Sequence, residues 1–223
     1  MTELTGRFAL SDFLAYLFPG AAGIGGIYFA LRLTWPGNVP LPAKIDLGES
    51  ALVFVAAYLF GMVLSTLSYP LMSAAAWLLG RFVAQPDPRA EIIPTITESR
   101  VRETVASHLG RRVDELGNWS KELFYVARAI VTERSAVHAS LAARQNALYK
   151  LKQNSLIPLA AWSYAAGVWA YRDLHLPFPL ATVLTIVMFV AVTGQVVNRA
   201  NRNREREARE IYVGIAAIEK GDA

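Results

Sequence analysis

Cysteine is absent from all 223 residues, which excludes disulfide frameworks, thiolate nucleophiles and thiolate metal sites together. Histidine is nearly as scarce: His108, His138 and His175 stand far apart, and no HExxH pair sets two of them on one helical face. There is no GxSxG elbow and no GxxxxGK[ST] loop, so serine-hydrolase and P-loop nucleotide chemistry have no basis here. Gly20, Gly23, Gly25 and Gly26 cluster, but inside an apolar run rather than after a strand. Charge is also short, at 18% of residues against roughly a quarter in a soluble domain.

That shortage is uneven. Four runs carry no charged side chain: residues 13–31, 50–80, 153–171 and 174–198. A bilayer core about 30 Å thick is crossed by roughly 20 apolar residues of helix. The sequence therefore predicts an all-α polytopic membrane protein with four transmembrane helices. The expected layout has four parts. Residues 1–80 form a membrane hairpin (spans 13–35 and 50–74), and 81–154 a helical cytoplasmic region. Residues 155–198 form a second hairpin (spans 155–172 and 176–198), and 199–223 a cytoplasmic C-terminal helix.

Orientation follows from the cations. Residues 81–152 hold twelve Lys/Arg and eight Asp/Glu, and the tail adds Arg199, Arg202, Arg204, Arg206, Arg209 and Lys220. The intervening loops offer only Lys44 and Arg172. Short positive segments resist translocation, so both termini and the central region are expected in the cytoplasm of a multi-pass protein of the bacterial inner membrane. Residues 1–7 are nearly neutral, unlike the start of a signal peptide, so the first run reads as a retained span.

Local signals refine the layout. Pro19-Gly20 is expected to kink or break the first span, leaving residues 8–18 as an amphipathic lead-in. Arg32 lies near the interface, where it can snorkel outward. The second run exceeds one crossing, so residues 70–79 are expected to kink at Pro70 or to emerge along the surface. In the central region Thr95-Ile96-Thr97-Glu98 fits a capping box opening a helix that Gly110 ends. Residues 119–133 read as a second amphipathic helix, and Ser135 starts a third that runs toward the membrane. Its expected seam is Val137, Leu141, Arg144, Leu148, Leu151 and Ser155, spaced as in a coiled coil. Arg144 interrupts that seam, and pairing with Glu122 or Glu133 would reconcile it with burial. Glu205 with Arg209, and Arg206 with Glu210, have the spacing of helical ion pairs.

Candidate functional residues fall into three sets. Small residues let membrane helices approach closely, which singles out Gly25, Gly26, Gly61 and Gly167 as helix-packing positions. Ser65, Thr66, Ser68, Thr193, Gln195 and Asn198 are uncharged polar groups within the spans, and should face other helices or a hydrated path. Arg144, Arg111 and Arg112 are candidates for anion or partner contact. No span holds a central acid, lysine or histidine of the kind proton relays and ion-coupled transporters use.

Arg102 and His108 have the spacing of an Arg–His motif, which resembles that of HEPN-type ribonucleases, and would imply an RNase. Basic residues without interleaved aromatics do not suggest nucleic-acid binding. No cofactor, metal or catalytic residue is expected. The order of two spans, a basic helical segment and two spans is similar to bestrophin-type anion channels and to small membrane effectors of bacterial antiviral defence, though no motif carries either resemblance. The leading expectation is a non-enzymatic homo-oligomer that forms a pore or perturbs the bilayer under control of its cytoplasmic helices. The alternative is a membrane-anchored scaffold for a soluble partner.

Overall fold

The computed structural model describes residues 2–39, 47–82, 95–113 and 121–219. These residues are helical almost throughout, and no strand occurs among them. Seven helices follow in order: α1 (Thr2–Thr34), α2 (Leu47–Phe82), α3 (Thr95–Leu109), α4 (Lys121–Arg134), α5 (Ala136–Asn154), α6 (Leu156–Arg172) and α7 (Phe178–Glu219). Trp119 and the breaker cluster at residues 85–88 lie outside the described residues.

The chain divides into two compact units. An apolar unit comprises Leu10–Val83 and Ala147–Ala200; a polar unit comprises Met1–Ala9, Ala84–Asn146 and Asn201–Ala223. Thus α5 and α7 each contribute residues to both.

Among the described residues three helices are long and apolar enough to cross a membrane: Phe13–Thr34 of α1, Glu49–Leu78 of α2 and Phe178–Ile218 of α7. This marks a membrane-embedded protein. The segment expected as the third of four spans is α6, whose 17 residues make it the shortest of the apolar helices. At 1.5 Å per residue α7 extends for about 63 Å, roughly twice a bilayer core.

Two prolines expected to kink or break their helices do not break them. Both α1 and α2 are continuous, through Pro19 and Pro70 respectively, so residues 8–18 are no separate lead-in and residues 70–79 remain in α2. The junction lies elsewhere: α5 does not run straight into α6 but ends at Asn154, with Ser155 in a turn between them.

The polar unit has an aliphatic core of Val101, Val105, Ala127, Ile130, Val131, Ala139, Ala142, Ile211, Tyr212 and Ile215. Val101 and Val105 of α3 and Ala127 and Ile130 of α4 are buried, whereas Leu109, spaced four residues beyond Val105 on the same face, is exposed. The tail continues α7 as its last part, and its Ile211 and Ile215 complete this core. Among the described residues, Arg128 forms an ion pair with Glu207 at 3.2 Å, and the His138 imidazole Nδ1 lies at hydrogen-bond distance, 3.2 Å, from the Glu210 carboxylate. Glu210 therefore reaches across to α5 rather than along its own helix to Arg206.

Gly110 ends α3. Its φ of 64° is left-handed, its N–H donates to the Ser107 carbonyl, and the Arg111 N–H donates to the Ala106 carbonyl. That pair of bonds satisfies carbonyls the helix end would otherwise leave open, and glycine adopts this conformation without a Cβ penalty.

The expected seam of α5 is corrected. The helix buries Ala139, Ala142 and Ala147, while Val137 is 67% exposed and Arg144 is exposed; Leu141, Leu148 and Leu151 are half-buried. At about 100° per residue the expected stripe is centred nearly opposite the alanines. Small side chains win the inward face because they let α5 approach its neighbours closely. The bulkier stripe is left half-buried to exposed.

Candidate functional site: a polar junction among apolar helices

The end of α5 is bonded to three other helices of the apolar unit. Three consecutive residues there each donate a side-chain hydrogen bond to the backbone of a different helix. Lys152 Nζ donates to the Arg199 carbonyl of α7 at 3.1 Å. Gln153 Nε2 donates to the Ser65 carbonyl of α2 at 3.4 Å, and Asn154 Nδ2 to the Ala15 carbonyl of α1 at 3.1 Å. Successive residues on a helix point about 100° apart, so one turn at a helix end can face three neighbours. Asn154 is fully buried and Gln153 nearly so.

The Asn154 contact explains why α1 survives its proline. Residue 19 would ordinarily donate its N–H to the carbonyl of residue 15, and proline has none to give. The Asn154 amide supplies the missing donor. In a membrane, where water is not at hand, an orphaned carbonyl costs several kcal/mol, and such replacement is one way a span keeps a proline. Gln153 reaches Ser65, within two turns of Pro70 in α2, and ties that proline-bearing helix to the same junction.

Helix α6 then runs beside α1 in the same direction. Asn154 meets Ala15 before its start, Trp162 Nε1 donates to the Ala22 carbonyl at 2.9 Å midway, and the Arg172 guanidinium donates to the Leu33 carbonyl at its end. The Trp162 ring packs on Gly26 and Gly25, and a methyl group added at Gly26 would lie 3.0 Å from it.

Glycines set the other close approaches. A Cβ at Gly61 would fall on the Tyr16 carbonyl, and one at Gly20 on the Ala57 carbonyl, so α1 and α2 touch backbone to backbone at two points. Gly167 faces the Thr185 hydroxyl of α7. Each helix-packing glycine expected from the sequence thus lies against another helix of the same chain. Gly20 belongs with them; its place beside Pro19 in an apolar run reads equally as a break.

The polar residues divide. Ser68 is fully buried beside Leu64 and Met72 on α2, with its hydroxyl unpartnered, and the Thr193 hydroxyl is likewise buried without a partner. Ser65 offers its carbonyl to Gln153. Thr66, Gln195 and Asn198 are exposed on the apolar unit. Elsewhere the hydroxyls of Thr182 and Thr185 turn back to the carbonyls of Phe178 and Ala181, so neither presents a free donor. Arg32 donates to the Tyr28 hydroxyl at 3.2 Å.

In the polar unit, Arg111 and Arg112 are exposed just past the end of α3. Arg144 is exposed and forms no ion pair with Glu133 or any other described acid. A cleft of about 520 Å³ is walled by Glu103, Thr104, Ser107, His108, Ile130 and Arg134. Arg102 is not part of that wall; six residues from His108, it projects roughly 120° away around α3. Among the described residues no three His, Asp or Glu side chains converge as a metal site requires.

Nothing in the apolar pattern singled out Lys152, Gln153 and Asn154. The available signal was an adjacent Gln-Asn at the edge of an uncharged run, in a chain with prolines inside two of its spans. No family model, curated protein or solved structure matches this chain. What defines it is an α-helical membrane module braced from one helix junction.

Proposed function

We propose that this chain is a non-enzymatic integral membrane protein of a bacterial inner membrane, with four spans and both termini cytoplasmic, that acts as a homo-oligomer to open a pore or perturb the bilayer. The observation that carries the reading is the exposure of Thr66, Gln195 and Asn198 on the apolar unit. Lipid offers them no hydrogen bonds, and a second copy can. The interior of one copy favours no conduit: α1 and α2 meet at backbone distance, and junction side chains close on helix carbonyls. Any path therefore forms between copies. Support for a fourth crossing comes from α6, which keeps pace with α1 from Ala15 to Leu33.

The test is mass and flux together. Purified protein in detergent is expected as a defined oligomer, and its liposomes to leak ions; Gln195→Leu should shift the particle toward monomer. A monomeric particle in non-leaky liposomes contradicts the reading. The polar unit's own core favours a second reading, a tethered scaffold, for which an intact permeability barrier is the expected outcome.

A further inference from the structure

The cleft between α3 and α4 is lined by opposite charges that do not pair. Glu103 stands on α3 and Arg134 at the end of α4, and among the described residues neither side chain forms an ion pair or hydrogen bond. The helices that carry them are held by what lies beneath. Ile130, the floor of the cleft, packs in one core with Val101 and Val105. The two charges are therefore mounted on packed helices rather than on loops.

The walls differ in kind. Glu103, Thr104 and Ser107 give α3 three acceptor groups on the cleft. The Thr104 hydroxyl already donates to the Arg100 carbonyl at 3.1 Å, so toward a ligand it can only accept. An ammonium has three donors to offer such a wall. Arg134 has donors alone, in a fork that matches a carboxylate. At about 520 Å³ the cleft has the size of a small-molecule site. We propose that it binds a free α-amino acid, with the ammonium on Glu103, Thr104 and Ser107, the carboxylate on Arg134 and an aliphatic side chain over Ile130. A ligand of one sign is selected against, since a phosphate or an RNA backbone meets Glu103 and a simple cation meets Arg134. The proposal concerns the polar unit alone and stands whether or not the spans conduct.

The probe is tritiated L-leucine, titrated by scintillation proximity against the full chain in a maltoside detergent. Its competitors are 4-methylpentanoate, which lacks the ammonium, and isoamylamine, which lacks the carboxylate. Leucine is expected to bind saturably, and each analogue to compete more weakly by about tenfold or more. Glu103→Gln and Arg134→Gln should each weaken leucine by about tenfold. In addition, 4-methylpentanoate should gain on Glu103→Gln and isoamylamine on Arg134→Gln, an exchange of preference that a damaged fold does not produce. Both positions are exposed, so unchanged thermal unfolding is expected. The proposal is overturned by no saturable binding, by analogues that compete as well as leucine, or by binding indifferent to both substitutions. It is also overturned if phosphoethanolamine competes better than leucine, which would give the cleft to a zwitterionic lipid headgroup, or if inorganic phosphate does, which would mark a simple anion site.

Discussion

The two units of this chain obey opposite packing rules. In the polar unit a core of large aliphatics is inside: Val105, Ile130, Ile211 and Ile215 are buried, and Glu207 and Glu210 of α7 meet Arg128 and His138. In the apolar unit most of the large aliphatics and aromatics of α2 are outside. Leu52, Val53, Phe54, Leu59 and Val63 of α2 are exposed, while Ala57, Gly61, Leu64 and Ser68 are buried. One amino-acid alphabet is thus sorted twice. Water drives apolar surface inward; lipid removes that drive and leaves close approach and hydrogen bonds to hold helices together.

If the contrast is right, the units should fail for different reasons. The largest effect is expected from Gly61→Val in the apolar unit, because its side chain would overlap the Tyr16 carbonyl and backbones cannot yield as side chains do. A cost of about 3 kcal/mol or more is expected, seen as loss of monodisperse protein from detergent extracts. Ile130→Ala should cost the polar unit about 2–4 kcal/mol by leaving a cavity. Hydrogen exchange should show that loosening in α3 and α4 while amides of α1 and α2 stay protected.

Asn154→Ala should cost about 1–3 kcal/mol by exposing the Ala15 carbonyl. Its diagnostic is a double-mutant cycle. Pro19→Ala restores the backbone donor, so Asn154→Ala should cost much less in that background, whereas additive effects would show the amide is not replacing the proline's missing N–H. Smallest is Glu207→Gln, which weakens the ion pair with a one-third-exposed Arg128. About 1 kcal/mol or less is expected in thermal unfolding.

The helical class and the apolar segments were legible because hydropathy reports the solvent directly. Gly25, Gly26, Gly61 and Gly167 were legible as contacts because only small residues permit such approach. The fate of Pro19 was not. The donor that meets the Ala15 carbonyl left open by Pro19 is Asn154, 135 positions further along the sequence. The α5 seam was misread for a related reason. Heptad spacing identifies a face that wants a partner, and Ala139, Ala142 and Ala147 occupied the partner inside the chain. Likewise Glu210 had a plausible partner one turn away and took His138 from another helix instead.

That lipid surrounds four crossings is the claim on which the rest depends, and α6 is its weakest member. The native chain lacks cysteine, so single cysteines can be introduced at exposed Ala136, Leu174 and Arg206 and treated with an impermeant maleimide in sealed right-side-out vesicles. The account predicts that Leu174→Cys labels at once, and that Ala136→Cys and Arg206→Cys label only after the membrane is opened. Leu174→Cys and Ala136→Cys reacting from the same side would contradict it.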